Sequence, residues 1–240
     1  MPGFYFPTFP LGYYLVFGIG VVLSLLASSR VRSTFARWSQ VRSRSGITGA
    51  QVARAILLAN GIRDVAVEPV AGHLSDHYDP SSKTLRLSEP VYASDSVAAL
   101  GVAAHEVGHA IQHATSYAAL KFRSAWVPVA GIGSNLGMWL LMIGFMIAAG
   151  GGSTTLAWVG VALFATTTVF TLVTLPVEFD ASKRALVTLQ TSRVLASDEL
   201  QGARSVLNAA ALTYVAAAAT SLMQLLYFVF RLLGTQRRED

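Results

Sequence analysis

The chain has 240 residues, 53% of them hydrophobic and 13% charged, with five histidines and no cysteine. A mean hydropathy of +0.50 and a charged share about half that of a soluble domain argue against an ordinary soluble protein. The lack of cysteine excludes disulfides and thiolate ligands, so a metal would be held by His, Asp, Glu or water. The net charge of +5 does not indicate nucleic acid. Its basic residues lie mostly beside apolar blocks, as expected of the Lys and Arg excess on the cytoplasmic side of membrane proteins.

Three stretches carry no charged side chain: residues 1–29, 124–177 and 205–230. A bilayer core takes roughly 20 apolar residues per helix, so the middle stretch has room for two crossings and the others for one each. After the proline-rich start "MPGFYFPTFP", residues 10–28 are predicted to form a first transmembrane helix. It lacks the basic leader and small-residue cleavage site of a signal peptide. Arg30, Arg32, Arg37, Arg42 and Arg44 follow, placing the end of this helix in the cytoplasm.

In "SGITGAQVARAILLANGI", Thr48 and Gln51 have capping-box spacing, Val52, Ile56 and Leu57 form an apolar stripe, and Gly61 can end the helix. The segments "VAVEPV" and "KTLRLS" alternate as short strands, and "AGHLSDHYDPSS" between them reads as a turn-rich connection. A helix is predicted over 95–116. Residues 126–150 begin with glycines, Pro128 and Asn135 that suggest an interrupted helix, and a second crossing returns to Pro176, read as the exit. A mixed-charge helix follows, then a helix capped at Ser197, and 212–233 form a fourth crossing or a membrane-embedded helix.

The stretch "AAHEVGHAIQH" places three of the five histidines within nine residues. His105 and His109 leave one helical face a turn apart, so both imidazoles can reach one zinc ion. Glu106 stands beside the first, where it can take a proton from water and return it to a leaving amine. Zinc can lower the pKa of bound water from 15.7 to about 7. Catalytic zinc takes three protein ligands and an open position. Geometry argues against His113 as the third, because eight residues of straight helix separate it from His105 by about 12 Å, and a place behind the ligands or at the surface suits it better. His73, His77, Asp76, Asp79, Glu89 and Glu178 remain as candidates. Glu178 has the most informative setting, because two crossings separate it from the zinc helix and an even number returns the chain to the same face.

Together "SDHYDPSSKTLRLSEPVYASDSVAALGVAAHEVGHAIQHA", two hydrophobic segments and "LPVEFDASKRA" resemble, in this order, the bacterial membrane-embedded neutral zinc metallopeptidases. These are related to integral-membrane zinc proteases with a His, His, Glu ligand set. The resemblance implies zinc ligands His105, His109 and Glu178 and a general base Glu106. Relatives in the broader group carry an Asp four residues after the last ligand. Here that position is Ser182 and the nearest acid is Asp180. Asp180 points about 200° away from Glu178 on a helix, where it either serves another part of the ligand support or pairs with Arg184. Tyr78 or His77 could donate to an oxyanion, although "SDHYDP" is more simply a turn built by Asp79 and Pro80.

The expected architecture is a mainly α-helical multi-pass membrane protein with about four transmembrane helices and a small α+β, zincin-like part on the cytoplasmic side. Its divisions are an N-terminal transmembrane helix (1–29), a cytoplasmic part with the zinc-binding helix (30–123), two transmembrane helices (124–176), cytoplasmic helices with the third ligand (177–211), and a C-terminal membrane helix and tail (212–240). The expected activity is zinc-dependent hydrolysis of peptide bonds in proteins or peptides, membrane-associated ones included, at the membrane of a bacterial cell. The alternative is a catalytically silent scaffold or quality-control adaptor stabilised by zinc, with His73, His77 and His113 as extra ligands. Transport would need charged groups along the crossings, and 124–177 offer only Asn135, Ser and Thr.

Overall fold

The computed structural model describes residues 11–236. The proline-rich start and Arg237 and Arg238 lie outside them. Four helices are long and apolar enough to cross a membrane: α1 (Leu11–Ser39), α5 (Ala118–Ala149), α6 (Thr155–Thr191) and α7 (Ser197–Gln236). With α2 (Gly49–Ala59), β1 (Ala66–Val70), β2 (His77–Asp79), β3 (Thr84–Ser88), α3 (Glu89–Tyr92) and α4 (Val97–Ala114), they make a mainly helical membrane protein with a small sheet. The chain divides into two units. Unit 1 holds the described residues up to Leu25, Phe122–Thr174 and those from Val215 onward, and unit 2 holds Leu26–Lys121 and Leu175–Tyr214.

In unit 2 the capping box forms as its spacing requires: Gln51 N donates to Thr48 Oγ1 and Thr48 N to Gln51 Oε1, at 3.4 and 2.8 Å. Gly61 follows the helix at φ +73°, a conformation that glycine adopts without a Cβ penalty. The sheet has the order β1-β3-β2, with β1 parallel and β2 antiparallel to β3. Its central strand buries Leu85 and Leu87 completely. β2 corrects the reading of "SDHYDP" as turn alone, since His77, Tyr78 and Asp79 pair with Arg86, Leu85 and Thr84. The turn begins at Asp79, which accepts from Ser81 N, Ser81 Oγ and Ser82 Oγ. Ser96 caps α4 by accepting from Ala99 N. That helix is apolar nearly all round and forms the centre of the unit 2 core with Val52, Ile56, Leu87 and Ala203.

The long helices run past the boundaries expected from sequence. α1 continues to Ser39 through the arginines, whose helix propensity is high. Pro128 does not interrupt α5 and Pro176 does not end α6. The residues read as two helices at 197–211 and 212–233 belong to one, α7. Within unit 1 glycines of both α5 and α6 serve packing: a Cβ on Gly137 of α5 would stand 2.8 Å from Phe164 N, and one on Gly160 of α6 would stand 2.5 Å from Leu141 N. Small residues that let two apolar helices touch are a common device where lipid gives no hydrophobic drive.

Candidate metal centre

Unit 2 brings His105 and His109 of α4 together with Glu178 of α6. The imidazole centroids are 4.9 Å apart and nearly perpendicular. Glu178 Oε2 lies 3.2 Å from His105 Nε2 and 3.5 Å from His109 Nε2, and the three ligand atoms fall within 4.8 Å of one another. Zinc–ligand bonds of about 2.1 Å at tetrahedral angles space ligand atoms about 3.4 Å apart, so the donor set fits a zinc ion.

Hydrogen bonding behind the rings supports the same fit. Gln112, with no exposed surface, donates through Nε2 to Val177 O at 2.8 Å and Asp180 Oδ2 at 2.9 Å. Both partners are pure acceptors, which fixes the amide orientation and turns Oε1 toward His109 Nδ1 at 3.0 Å. His109 Nδ1 therefore donates, and in the neutral ring Nε2 presents a lone pair to Glu178. Ser182 Oγ stands 3.1 Å from His105 Nδ1 and can accept in the same way. With both rings neutral, two imidazole lone pairs and a carboxylate converge, an arrangement that favours a positive charge among them, whether a proton or a metal ion. Burial alone would lower the His109 pKa, yet Glu178 and Glu106 outweigh it and hold it raised.

The two helices can meet because Gly108 lacks a Cβ, which would sit 2.5 Å from Ala181 O. The glycine lies between the two histidines, and Ala181 lies between Glu178 and Ser182. Glu106 is 8% exposed and makes no hydrogen bond or ion pair among the described residues. With His105 it forms the floor of a cavity of about 440 Å³. His109 and Glu178 are buried beneath.

The other sequence candidates lie outside the cluster, although Asp76 lines the same cavity. His113 Nδ1 lies 2.8 Å from the Tyr78 hydroxyl, His77 Nδ1 lies 2.8 Å from Ser75 O, and His73 sits edge-on to Phe35. Asp76 accepts from Ser88 N and Oγ. Asp180 does both things the sequence left open, accepting from Arg184 Nε at 2.5 Å and from Gln112. Among the supporting residues, Gln112 has one faint sequence signal, its i+3 spacing from His109, which puts it on the ligand's face. The cavity walls from α1 and α7 had no sequence signal.

These features define a membrane protein with a His, His, Glu metal-binding cluster. Residues 13–233 match the family described as "Putative neutral zinc metallopeptidase", and the chain belongs to that family. It is 48% identical over 207 residues to "Putative membrane protease YugP" of Bacillus subtilis (strain 168), covering 86% of this chain and 90% of that protein. No solved structure matches the chain.

Proposed function

We propose that the protein is a membrane zinc endopeptidase in which His105, His109 and Glu178 hold the metal and Glu106 is the general base. The observation that carries this reading is the convergence of His105, His109 and Glu178 beneath a cavity whose floor includes Glu106, which makes no hydrogen bond or ion pair among the described residues. Zinc, when bound, supplies the Lewis acidity that makes water a competent nucleophile near neutral pH. Glu106 takes the proton as water attacks the peptide carbonyl and returns it to the departing amine, so its carboxylate ends the cycle as it began. Gln112 holds His109 with its Nε2 turned inward. The arginines following the first apolar stretch support a cytoplasmic location for unit 2. The cluster has three protein ligands rather than four, which favours a catalytic site over a closed structural one.

The test compares purified wild type with Glu106→Gln and His105→Ala. Glu106→Gln should keep one zinc per chain and lose roughly 10²- to 10⁴-fold in cleavage of an unfolded protein, whereas His105→Ala should lose the metal as well. Equal cleavage by Glu106→Gln and wild type would remove Glu106 from the mechanism. A reporter inserted at Gly72 should be cytoplasmic, and an extracytoplasmic signal would overturn the orientation.

A further inference from the structure

The cavity above His105 and Glu106 is built from one stripe of each of three helices. α4 supplies its floor. α1 supplies Ser28, Val31 and Phe35, and α7 supplies Val206, Ala210 and Tyr214. These recur at helical spacing, so each wall is a single face. Leu74, held at φ +58°, and Asp76 close one side from the loop between β1 and β2. The walls are mainly apolar, and at about 440 Å³ the space exceeds what one attacking water requires.

The position of the walls along their helices carries the second part of the argument. On α1 the lining begins at Ser28, in the last uncharged turn before Arg30. On α7 it runs from Val206 to Tyr214, in the first turns of the uncharged stretch after Arg204. Each helix thus lines the cavity where its sequence changes from charged to membrane-apolar, the level at which a spanning helix meets the headgroups. Arg32, exposed on the same wall, has the chemistry suited to that level.

We infer that the cleft receives a bulky apolar side chain, of leucine or phenylalanine size, beside the scissile bond of an extended segment lying next to the membrane surface. The substrate class is therefore a membrane-anchored polypeptide cut close to its anchor. This rests on the peptidase reading above. A side chain in the cleft would lie over Glu106 and shield the reacting carbonyl from bulk water. One missing methylene in such a pocket costs about 10- to 200-fold in selectivity, so leucine should be strongly preferred to alanine there.

The zinc-loaded protein in lipid nanodiscs is tested with one unstructured peptide carrying a single photo-leucine. The peptide is presented on a transmembrane anchor through a linker of about three residues, which reaches about 10 Å, or through a flexible spacer of about 40 residues, which averages about 35 Å. The short-linked form should be cleaved at least as fast as the long-linked form. On irradiation it should crosslink to α1 or α7 residues of the cleft, identified by mass spectrometry. Cleavage of the long-linked form alone would overturn the membrane-proximal placement. Cleavage without crosslinks to those walls would overturn the pocket while leaving the peptidase reading intact. Crosslinks without cleavage would support the pocket and count against the peptidase reading. Ala210→Phe, which fills the cleft, should lower the ratio of kcat/KM for leucine over alanine peptides by about tenfold or more. An unchanged ratio would place the apolar side chain elsewhere.

Discussion

Gln112 and Asp180 are joined by a 2.9 Å hydrogen bond that settles which way the buried amide faces, and through it the tautomer of His109. Substituting Gln112 by Leu would leave His109 Nδ1, Val177 O and Asp180 without that shared partner, and the imidazole could rotate or exchange its proton. Loss of such support typically costs 10- to 100-fold in metal affinity. Gln112→Leu should therefore weaken zinc binding by about that factor in a chelator competition, with activity recovering in excess zinc. Asp180→Asn should do less, because the new amide oxygen can still accept from Gln112. Unchanged zinc affinity in Gln112→Leu would show that the ring holds its orientation unaided.

Gly108 gives a contrasting test, since helix propensity and packing predict opposite signs. In an exposed helix Gly→Ala stabilises by about 1 kcal/mol. Here the methyl would fall 2.5 Å from Ala181 O, with the Ala181 C and Cα at 3.0 and 3.1 Å. Backbone cannot swing aside as a side chain can, so α4 and α6 must separate at the point where the ligands meet. Gly108→Ala should destabilise the protein by about 1–3 kcal/mol, the usual cost of overpacking, and weaken zinc binding by more than tenfold. Thermal unfolding with and without zinc would check both. A stabilised variant with normal affinity would mean that the helices have room to spare.

Local signals made part of this site legible in the sequence. His105, Glu106 and His109 follow from helical spacing, and the capping box at Thr48 and Gln51 marks the start of α2 as found. Glu178 is reached by counting crossings and by the resemblance that "LPVEFDASKRA" carries, because no helical spacing ties it to the histidines. What failed was the placing of helix ends. Pro128, Pro176 and the arginines after Ser29 mark changes of environment or hydrogen bonding, while the backbone runs on through all of them. β2 was hidden for a related reason: three residues between turn formers show no period, and their pairing with β3 is a tertiary fact. Beyond its spacing from His109, Gln112 gives no signal in the sequence, because an amide has no metal-binding signature. Its role depends on which acceptors α6 brings to it.

Tyr78 offers a pH test outside the ligand cluster. Burial, reinforced by the negative charges of Asp64 and Asp79, pushes its hydroxyl up to about 12. Below pH 10 the phenol is neutral in folded and unfolded chains alike and its protonation contributes no slope. Between about pH 10 and 12 the unfolded chain loses the proton while the folded chain keeps it, so folding stability falls as pH rises across that window. Tyr78→Phe should abolish this part of the pH dependence. A 295 nm titration of wild type minus Tyr78→Phe should show no ionisation centred at 10, and a midpoint there would sink the argument.

Metal removal separates a zinc site from a merely hydrogen-bonded cluster. An ion bound only by the folded state stabilises it by mass action, by about 2.7 kcal/mol at 100 times its Kd. Chelation of wild type should therefore lower Tm by several degrees and abolish cleavage, and added zinc should restore both. In Glu178→Ala the carboxylate that draws the two imidazoles together is gone, and its zinc-dependent Tm shift should shrink to near zero. Glu106→Gln should keep the full shift, because Glu106 lies on the cavity floor and outside the ligand cluster. If Glu178→Ala retained the wild-type shift, the third ligand would have to be another group. If Glu106→Gln lost it, Glu106 would be holding the metal rather than the proton.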